Sequence, residues 1–437
     1  MPEKAIWPSH PPELAGLDSS DADRIAVSLF TGGIDRDYAF GLSMELVSKG
    51  AHLDVIGSDG VDCPEFHGNP RINFLNLQTN QRSHASLTKK IIRLCVYYAK
   101  LIRYSASAKT RIFHILWNNK FELFDRTMLM LFYKLLGKRL VRTVHNVNAG
   151  KRDLKDTLVN RITLRMQYQL ADHLFVHTEK MKCELVNEFG VRGTRITVIP
   201  YGINNATPNT SISRDQARKR LGIQNGRKAI LFFGRIAQYK GLEYLITAFQ
   251  QLLDRRDDYQ LIVAGRPEND YLKHWNAIQE KMAEDVRCRR ILIRGDHVPD
   301  DETELYFKAA DVLVLPYTHI YQSGVLFLAY SFGLPVLASD VGALKEEIVE
   351  GETGFIFSPK DPVDLAATIE RYFASSLFAN LSVQRQKIKD FAIERHSWDV
   401  VGQLTMRIYK TLLRSDSTEE FINRGSKAPR QNQNNFS

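Results

Sequence analysis

The chain has 437 residues, of which 44% are hydrophobic and 25% are charged, a composition typical of a soluble globular protein. The length suffices for two or three domains, and no uninterrupted apolar run approaches the roughly 20 residues that span a bilayer. The N-terminus lacks a basic region followed by an apolar core, so we expect no secretory signal. Four scattered cysteines favour reduced thiols over a disulfide framework or a zinc site. We therefore expect a cytoplasmic protein.

Positive charge is concentrated in one segment of the chain. The formal net charge is +9, and residues 82–142 contain 14 Lys and Arg against two acidic residues. Within this segment, residues 89–103 (KKIIRLCVYYAKLIR) interleave basic and apolar residues at helical spacing. This pattern is typical of a helix that lies peripherally on an anionic membrane, but a surface helix docked on its own domain has a similar pattern. Nucleic acid is not expected as a partner, because no recognised nucleic-acid motif accompanies the charge.

The first half of the chain alternates strands and helices. Residues 1–23 are polar and proline-rich and are predicted to be flexible. Residues 24–205 form the first predicted domain, with strands at 25–30, 53–57, 72–75, 112–116, 140–144, 174–177 and 196–200 and helices at 38–49, 88–104, 121–136 and 154–170. This alternation predicts one doubly wound parallel sheet.

The second half repeats the alternation after a break in composition. Residues 206–228 are rich in Gly, Asn, Ser, Thr and Pro and are predicted to be a linker with a short helix near 214–221. The second domain, 229–396, has strands at 229–233, 260–264, 291–294, 312–315, 335–338 and 354–357 and helices at 241–255, 270–284, 303–309, 324–332 and 362–375. A last helix at 397–413 closes the fold, and residues 414–437 are predicted to be a disordered tail. The fold class is α/β, with two Rossmann-like doubly wound domains facing across a cleft.

Two cations lie on the loop after the first strand of the second domain. The strand runs into Gly234, Arg235 and Lys240 follow, and a helix with one apolar face begins directly after them. The loop lies at the carboxyl end of its strand, where open α/β sheets bind ligands, and the helix offers free N–H groups and a positive dipole. We predict a phosphate site here, the alternative being two solvated surface cations.

A second segment, Gln322-Ser323-Gly324-Val325, is predicted to supply further phosphate contacts. Ser323 can cap a helix whose first turn contains Gly324 and Val325, and Gly324 allows a ligand to approach the backbone closely. The backbone N–H groups of this turn would point into the same cleft. The alternative is a helix–strand connection that binds no ligand.

Several motifs of the second domain occur in a fixed order. They are Phe-Gly-Arg-Ile-(x)3-Lys-Gly at 233–241, Ala-Asp-Val-Leu-Val-Leu-Pro at 310–316, and Ser-Gly-Val-Leu to Gly-Leu-Pro-Val at 323–336, with continuations at 339–343 and 351–355. This combination resembles the C-terminal half of glycosyltransferase family 4, strongly over 229–358 and more weakly over 24–200. The resemblance implies a GT-B fold and a retaining transferase that uses a nucleotide-diphosphate sugar, with no cofactor and no metal.

The resemblance also assigns roles to individual residues of the second domain. Arg235 and Lys240 match the pair that contacts the diphosphate, and the N–H groups of Gly324 and Val325 match its other phosphate donors. Cations and fixed N–H groups would stabilise the negative charge that develops on the leaving diphosphate. The residues that lie where the family binds the nucleoside are Gly265, Arg266, His297 and Val298.

The first domain contributes a second group of candidates. Gly32 and Gly33 follow the first strand, where a tight turn would let the diphosphate or the acceptor approach. His145 also follows a strand; it resembles the family histidine that contacts the donor sugar, and it is a candidate for a polar role near the acceptor hydroxyl. Asp35 and Asp37 form an Asp-x-Asp pair, but we expect no metal there because the pair follows the first strand of a Rossmann-like domain.

The chain departs from the family pattern at two positions. The family usually carries two glutamates across the 320–328 segment, and the alignment puts Ile320 and Leu328 in their places. The first glutamate usually touches the donor sugar and the second the ribose, so both contacts are in question. Gln322 is the candidate for a substitute polar contact.

Together these observations predict a retaining hexosyltransferase. It would move a hexose from a nucleotide-diphosphate sugar to an acceptor hydroxyl, with a lipid-linked or membrane-proximal glycan in polysaccharide biosynthesis as the acceptor. Two alternatives are a catalytically degenerate nucleotide-sugar-binding subunit and a GT-B sugar-nucleotide epimerase. An epimerase normally needs carboxylates in the cleft for proton transfer, and the sequence offers no convincing set.

Overall fold

Two parallel sheets form the framework of the protein. The computed structural model describes residues 25–78, 87–153, 155–203, 207 and 209–425. Within them, the first sheet has seven strands in the order β3-β2-β1-β4-β5-β6-β7, and the second has six in the order β10-β9-β8-β11-β12-β13. The strands are β1 Ala26–Phe30, β2 His52–Ser58, β3 Ile72–Gln78, β4 Ile112–Ile115, β5 Arg139–Thr143, β6 His173–Val176, β7 Ile196–Val198, β8 Lys228–Phe233, β9 Tyr259–Ala264, β10 Ile291–Arg294, β11 Val312–Leu315, β12 Val336–Ser339 and β13 Gly354–Phe357. Every predicted strand is confirmed to within a few residues.

The strand order of each sheet has one reversal point. In each sheet the chain first builds outward in one direction and then returns to the other side of its first strand. Val27 of β1 thus pairs with Leu53 on one side and Ile112 on the other, and Ile230 of β8 pairs with Leu261 and Val312. Ligands of open α/β sheets bind outside the carboxyl ends of the strands at such reversal points. The loops after β1, β4, β8 and β11 are therefore where a site is expected.

The four predicted helices of the first domain are present, one of them interrupted, and the structure adds three helices that were not predicted. They are α1 Arg36–Ser48, α2 Pro64–His67, α3 Leu87–Ser107, α4 Glu122–Phe124, α5 Met130–Leu135, α6 Ala149–Arg152, α7 Leu158–Leu170 and α8 Glu179–Phe189. The predicted continuous helix 121–136 is instead interrupted by a π-helical turn at Asp125–Leu129. Asp125 is buried there, and one of its carboxylate oxygens accepts hydrogen bonds from Tyr98 (2.9 Å) and Asn119 (3.1 Å). Such turns are local bulges within helices.

The segment between the domains is more ordered than a linker. The predicted short helix is present as α9 Arg214–Leu221, with a capping box at Ser213 and Gln216. Ala217 and Ile223 are buried in the core of the second domain, and the Arg218 guanidinium lies 3.3 Å from the buried Asp311 carboxylate. From residue 209 onward this segment therefore packs as part of the second domain.

The helices of the second domain surround its sheet. They are α10 Leu242–Leu253, α11 Leu272–Arg287, α12 Asp300–Ala309, α13 Gly324–Ser331, α14 Leu344–Glu347, α15 Pro362–Phe373, α16 Ser376–Ala379 and α17 Leu381–Arg395. A further helix, α18 Trp398–Gly425, follows them. Helix α18 extends to Gly425, so the first part of the predicted disordered tail is helical instead. The predicted flexible N-terminus and the last part of the tail lie outside the described residues. Within the described helices, none is both long and apolar enough to cross a bilayer.

The last helix returns to the first domain. Val401, Met406 and Tyr409 of α18 are buried in the same cluster as Val27 and Leu42 of the first domain. At its start, the Trp398 indole N–H donates to the carbonyl oxygen of Ile203, 2.8 Å away. The chain therefore passes between the domains twice, and the two passages adjoin each other.

Candidate active site

Lys240 lies buried at the carboxyl end of β8. It ends a 3₁₀ turn, Gln238–Lys240, and its ammonium donates to the Tyr317 hydroxyl at 2.6 Å while lying 3.9 Å from the centre of that ring. Burial, together with the nearby cations Arg152 and Arg235, lowers the pKa of Lys240 to about 7. A ligand that brings negative charge would stabilise the charged form of this buried lysine.

The N-terminus of α13 lies beside this lysine. The Tyr317 hydroxyl that accepts from Lys240 is 3.4 Å from Ser323 Oγ, and a Cβ placed on Gly234 would lie 3.3 Å from Val325. The two predicted phosphate segments therefore adjoin each other. Ser323 occupies the N-cap position, but its hydroxyl makes no capping bond within the described chain. The N–H groups of the first turn are thus not taken up by that hydroxyl.

Arg235 lies at the rim, and a second arginine approaches from the other domain. The Arg235 side chain is 69% exposed and pairs with Glu268 at 3.1 Å. Arg152, from α6 of the first domain, stacks its guanidinium 4.6 Å from the centre of the Tyr239 ring on the Arg235–Lys240 loop. The sequence prediction did not include Arg152. The sequence could have indicated Arg152 through its position shortly after the end of β5, in the same connecting segment as His145.

A cavity of about 670 Å³ opens next to Arg235. Its lining brings together five of the predicted residues: Arg235, Gly265, Arg266, His297 and Val298. Gly265 has a φ of +152°, and a Cβ at this position would overlap the carbonyl oxygen of Gly234. Asp37 and Thr207 also line it, so both domains contribute to the cavity.

The departures from the family pattern have different surroundings. Leu328 lines the cavity, so an apolar side chain stands where the family usually has a carboxylate. Ile320 is buried in the core of the second domain. Gln322, the candidate substitute, donates from Nε2 to Glu347 at 3.3 Å. The Oε1 atom of the same amide is buried with no hydrogen-bond partner among the described residues, so a contact from Gln322 to the donor stays a prediction.

The glycine turn of the first domain lies against the β4 loop. Gly32 and Gly33 have φ of +64° and +73°, and a Cβ on Gly32 would lie 2.7 Å from Trp117 and from the carbonyl oxygen of Asn118. Side chains larger than hydrogen are thus excluded by both conformation and space. The turn follows β1 at the reversal point of the first sheet, as predicted.

His145 is connected to this turn through Trp117. The Trp117 ring stacks on His145 at 4.0 Å, and the Tyr38 ring meets it edge-on at 4.6 Å. His145 Nδ1 is 3.1 Å from Nε2 of His177, while His145 Nε2 is buried with no hydrogen-bond partner in the described part of the chain. Burial holds the pKa of His145 well below its usual range, so the ring is neutral near pH 7.

The Asp-x-Asp pair contributes to the domain junction. Asp35 caps α1 by accepting from the N–H of Tyr38 at 3.2 Å, and the Tyr201 hydroxyl donates to it at 3.3 Å. Tyr201 in turn stacks on Phe327 of the second domain at 5.0 Å. Burial raises the pKa of Asp35 to about 6. Among the described residues, no three His, Cys, Asp or Glu side chains are grouped to hold a metal ion.

Comparison with known families agrees with this arrangement. A family model described as Glycosyltransferase Family 4 matches residues 32–206, and one described as Glycosyl transferases group 1 matches residues 227–375. The chain belongs to glycosyltransferase family 4. The two matched segments correspond to the two sheets, and most of the cavity lining lies in the second segment. The predicted hexosyltransferase class is thereby supported.

Relatives of this glycosyltransferase are similar over different parts of the chain. It is 26% identical over 388 residues to an uncharacterized glycosyltransferase of Methanocaldococcus jannaschii, covering 85% of this chain and 92% of that protein. It is 30% identical over 244 residues to the D-inositol 3-phosphate glycosyltransferase of Corynebacterium diphtheriae, covering 53% and 56%. The lipopolysaccharide core biosynthesis mannosyltransferase LpsB of Rhizobium meliloti is 30% identical over 225 residues, covering 50% and 61%. Against the last two, the match spans little more than half of the relative.

Solved structures share the fold. Sucrose-phosphate synthase from Thermosynechococcus elongatus superposes with a TM-score of 0.70 at 19% identity, covering 90% of this chain and 100% of that one. The Anabaena protein HepE in complex with UDP-glucose has a TM-score of 0.68 at 16% identity, covering 89% and 100%. The GT-B fold predicted from the resemblance is confirmed.

Proposed function

We propose that this glycosyltransferase moves a hexose, with retention of anomeric configuration, from a nucleotide-diphosphate sugar to an acceptor hydroxyl. The observation that carries the proposal is the meeting of Lys240, the Tyr317 hydroxyl and Ser323 at the N-terminus of α13. A cation and a helix N-terminus, placed together at the carboxyl ends of parallel strands, form a site for a diphosphate. The HepE structures with UDP and UDP-glucose support the same donor class.

The positions of the cations and N–H groups suit stabilisation of a leaving diphosphate. Cleavage of the sugar–phosphate bond leaves negative charge on the diphosphate, and Lys240, Arg235 and the free N–H groups of α13 would stabilise it. Retention would follow from attack by the acceptor on the face that the diphosphate leaves, a route that needs no protein nucleophile. The adjoining 670 Å³ cavity, with Arg266, His297 and Val298 in its lining, would hold the nucleoside.

The test is a thermal-shift screen against UDP-glucose, GDP-mannose and ADP-glucose. One of them is expected to raise the melting temperature, because a ligand that binds only the folded state stabilises it. Arg235→Ala and Lys240→Ala should reduce the shift, while Lys345→Ala, an exposed lysine paired with Asp340, should leave it intact. If no donor shifts the wild type, or if the two loop variants keep the full shift, the donor site is wrongly assigned.

A second assay separates the transferase from the two alternatives. Because Leu328 lines the cavity where the family has a glutamate, a binding subunit without activity is a specific alternative. Slow hydrolysis of the donor without any acceptor, releasing free sugar and nucleoside diphosphate, is expected of a transferase. A binding subunit would release neither, and an epimerase would change the sugar while leaving the nucleotide attached.

We further propose that the acceptor is reached at an anionic membrane. Three adjoining elements of the first domain, namely α3, residues 121–135 and α7, expose apolar side chains. These side chains are Ile91, Ile92, Val96, Phe121, Leu123, Met128, Leu135, Leu158, Val159 and Ile162. The elements touch through the Tyr98 and Phe124 rings, 5.2 Å apart, and through Arg126 and Asn160 at 2.8 Å.

The basic residues of this surface favour an anionic lipid membrane as its binding partner. The Lys and Arg residues of α3 are interleaved with these exposed apolar groups, and that combination binds anionic lipid by burying apolar area and attracting headgroups. The relative LpsB, named for lipopolysaccharide core biosynthesis, supports a membrane-proximal glycan as acceptor.

Liposome co-sedimentation tests this surface. Binding to vesicles with anionic lipid is expected, with weaker binding to neutral vesicles and at high salt. The variant Ile91→Asp/Ile92→Asp and the variant with Lys89, Lys90, Arg93, Lys100 and Arg103 changed to Gln should each lose binding. Co-sedimentation unchanged by either set would overturn the proposal.

A further inference from the structure

Two buried histidines stand in series at the carboxyl ends of adjacent strands. His145 follows β5 and His177 follows β6, and β5 and β6 are hydrogen-bonded neighbours. His177 Nδ1 lies 3.3 Å from the carbonyl oxygen of Ile199, and His177 Nε2 lies 3.1 Å from His145 Nδ1. The chain of contacts therefore runs from a backbone carbonyl through His177 to His145.

The backbone carbonyl fixes the direction of every hydrogen bond in this chain. A carbonyl oxygen only accepts, so the hydrogen of His177 is on Nδ1. In a neutral imidazole the other nitrogen is then an acceptor, so His145 Nδ1 donates to His177 Nε2. Burial lowers the pKa of His177 to about 4 and that of His145 well below its usual range, so both rings are neutral near pH 7. His145 Nε2 is consequently left with a lone pair and no hydrogen.

The Trp117 side chain connects His145 to the glycine turn of the first domain. His145 is 6% exposed, and within the described residues its Nε2 has no hydrogen-bond partner. Trp117 stacks on the His145 ring, and the same Trp117 packs against the Gly32 turn at the reversal point of the sheet. A buried acceptor without a partner costs free energy unless a ligand donates to it.

We propose that His177 is a positioning residue that holds His145 as a neutral acceptor, and that the site therefore takes a neutral hexose and discriminates against a uronic acid. A sugar hydroxyl can donate to His145 Nε2. A carboxylate has no hydrogen to donate, and its oxygens would face a lone pair in a buried site. This proposal rests on the proposed function, because it assumes that the sugar of the donor meets His145.

The first test reads the tautomer directly and needs no donor. The imidazole nitrogens of His145 are observed by NMR of the full chain labelled with ¹⁵N-histidine, with the His145→Gln variant used to assign the signals. The wild type is expected to carry its hydrogen on Nδ1. His177→Gln, whose side-chain oxygen can still accept from His145, should retain this tautomer, whereas His177→Phe should lose it. A hydrogen on Nε2 in the wild type, or an unchanged tautomer in His177→Phe, would overturn the proposal.

The second test measures discrimination between donors that differ in one group. Dissociation constants are compared for UDP-glucose and UDP-glucuronic acid, or for GDP-mannose and GDP-mannuronic acid if the guanine nucleotide binds. The wild type should prefer the neutral sugar by about tenfold or more, and His177→Phe should reduce this ratio while His177→Gln preserves it. His173→Gln, on the same strand but at its amino end, is the matched control and should behave as the wild type.

The outcomes separate the two proposals. If none of the four donors binds, the donor site of the proposed function fails while the tautomer measurement still tests His177. If the donors bind and the uronic acid binds as well as the hexose, the role of His177 in selecting the sugar is refuted and the proposed function stands.

Discussion

The titration of Lys240 gives the sharpest prediction about donor binding. Its pKa is lowered to about 7, mainly because the side chain is buried. A bound diphosphate would bring two negative charges beside it and restore the pKa toward the ordinary value of about 10.4. Donor binding is therefore expected to be coupled to uptake of a proton by this lysine.

The size of the effect follows from the two pKa values. With a pKa of about 7 in the free protein, Lys240 is about 90% charged at pH 6 and about 10% charged at pH 8. Binding should take up about 0.1 proton at pH 6 and about 0.9 proton at pH 8. Because the charged form binds, affinity is greatest below pH 7 and falls as the pH rises, by about tenfold, or 1.4 kcal/mol, between pH 6 and pH 8.

Isothermal titration calorimetry measures both quantities. The ligand is the intact nucleotide sugar that binds in the screen, because its diphosphate is a diester and does not titrate between pH 6 and pH 8. Titrations at each pH in two buffers of different ionisation enthalpy give the number of protons taken up. Lys240→Met should bind more weakly and lose the uptake, whereas Lys345→Met should keep it. Binding by the wild type at pH 8 without proton uptake would refute the reasoning.

Three further substitutions test other parts of the structure. Arg152→Ala should raise the dissociation constant of the donor about tenfold by calorimetry, since it removes a cation beside Lys240. Unchanged affinity would show that Arg152 does not contribute to donor binding. Gly265→Ala should lower stability by about 2–4 kcal/mol in thermal melts, because its Cβ would overlap a backbone oxygen. The control is Gly193→Ala, since a Cβ on Gly193 has open space. If the two variants melt at the same temperature, the prediction is contradicted. Asp35→Asn should stabilise the fold by about 1–3 kcal/mol at pH 7.5. Its carboxyl has a raised pKa of about 6 in the folded state, so the cost of ionising it is present above pH 6 and absent below about pH 4, where melts of the two proteins should coincide.

The sheets and the donor loops could be predicted because their signals are local. Apolar runs of strand length, broken by helical repeats, located all the strands, and the loop after β8 carries its cations within a few residues of the strand end. The interruption of the helix at Asp125 was missed because the groups that contact Asp125, Tyr98 and Asn119, lie on another helix and a loop. The end of α18 was misplaced because polar composition was taken as disorder.

The rest of the site depends on contacts between distant parts of the chain. Arg152 reaches Tyr239 from the other domain, and His177 meets His145 only because β5 and β6 are neighbours in the sheet. Neither pairing leaves a spacing pattern that a single sequence could show. The hydrogen bond from Gln322 Nε2 to Glu347 is a third such pairing.

The two adjoining passages between the domains have a mechanical consequence. Ile203 on the first passage accepts from the Trp398 indole on the second and donates from its N–H to the carbonyl of His396, at 2.8 and 3.0 Å. Trp398 also fills the space over Gly41 and Gly202, where a methyl group would collide with its ring. The two passages are therefore tied to each other at one place, and a relative movement of the domains that keeps these bonds must leave this place unchanged.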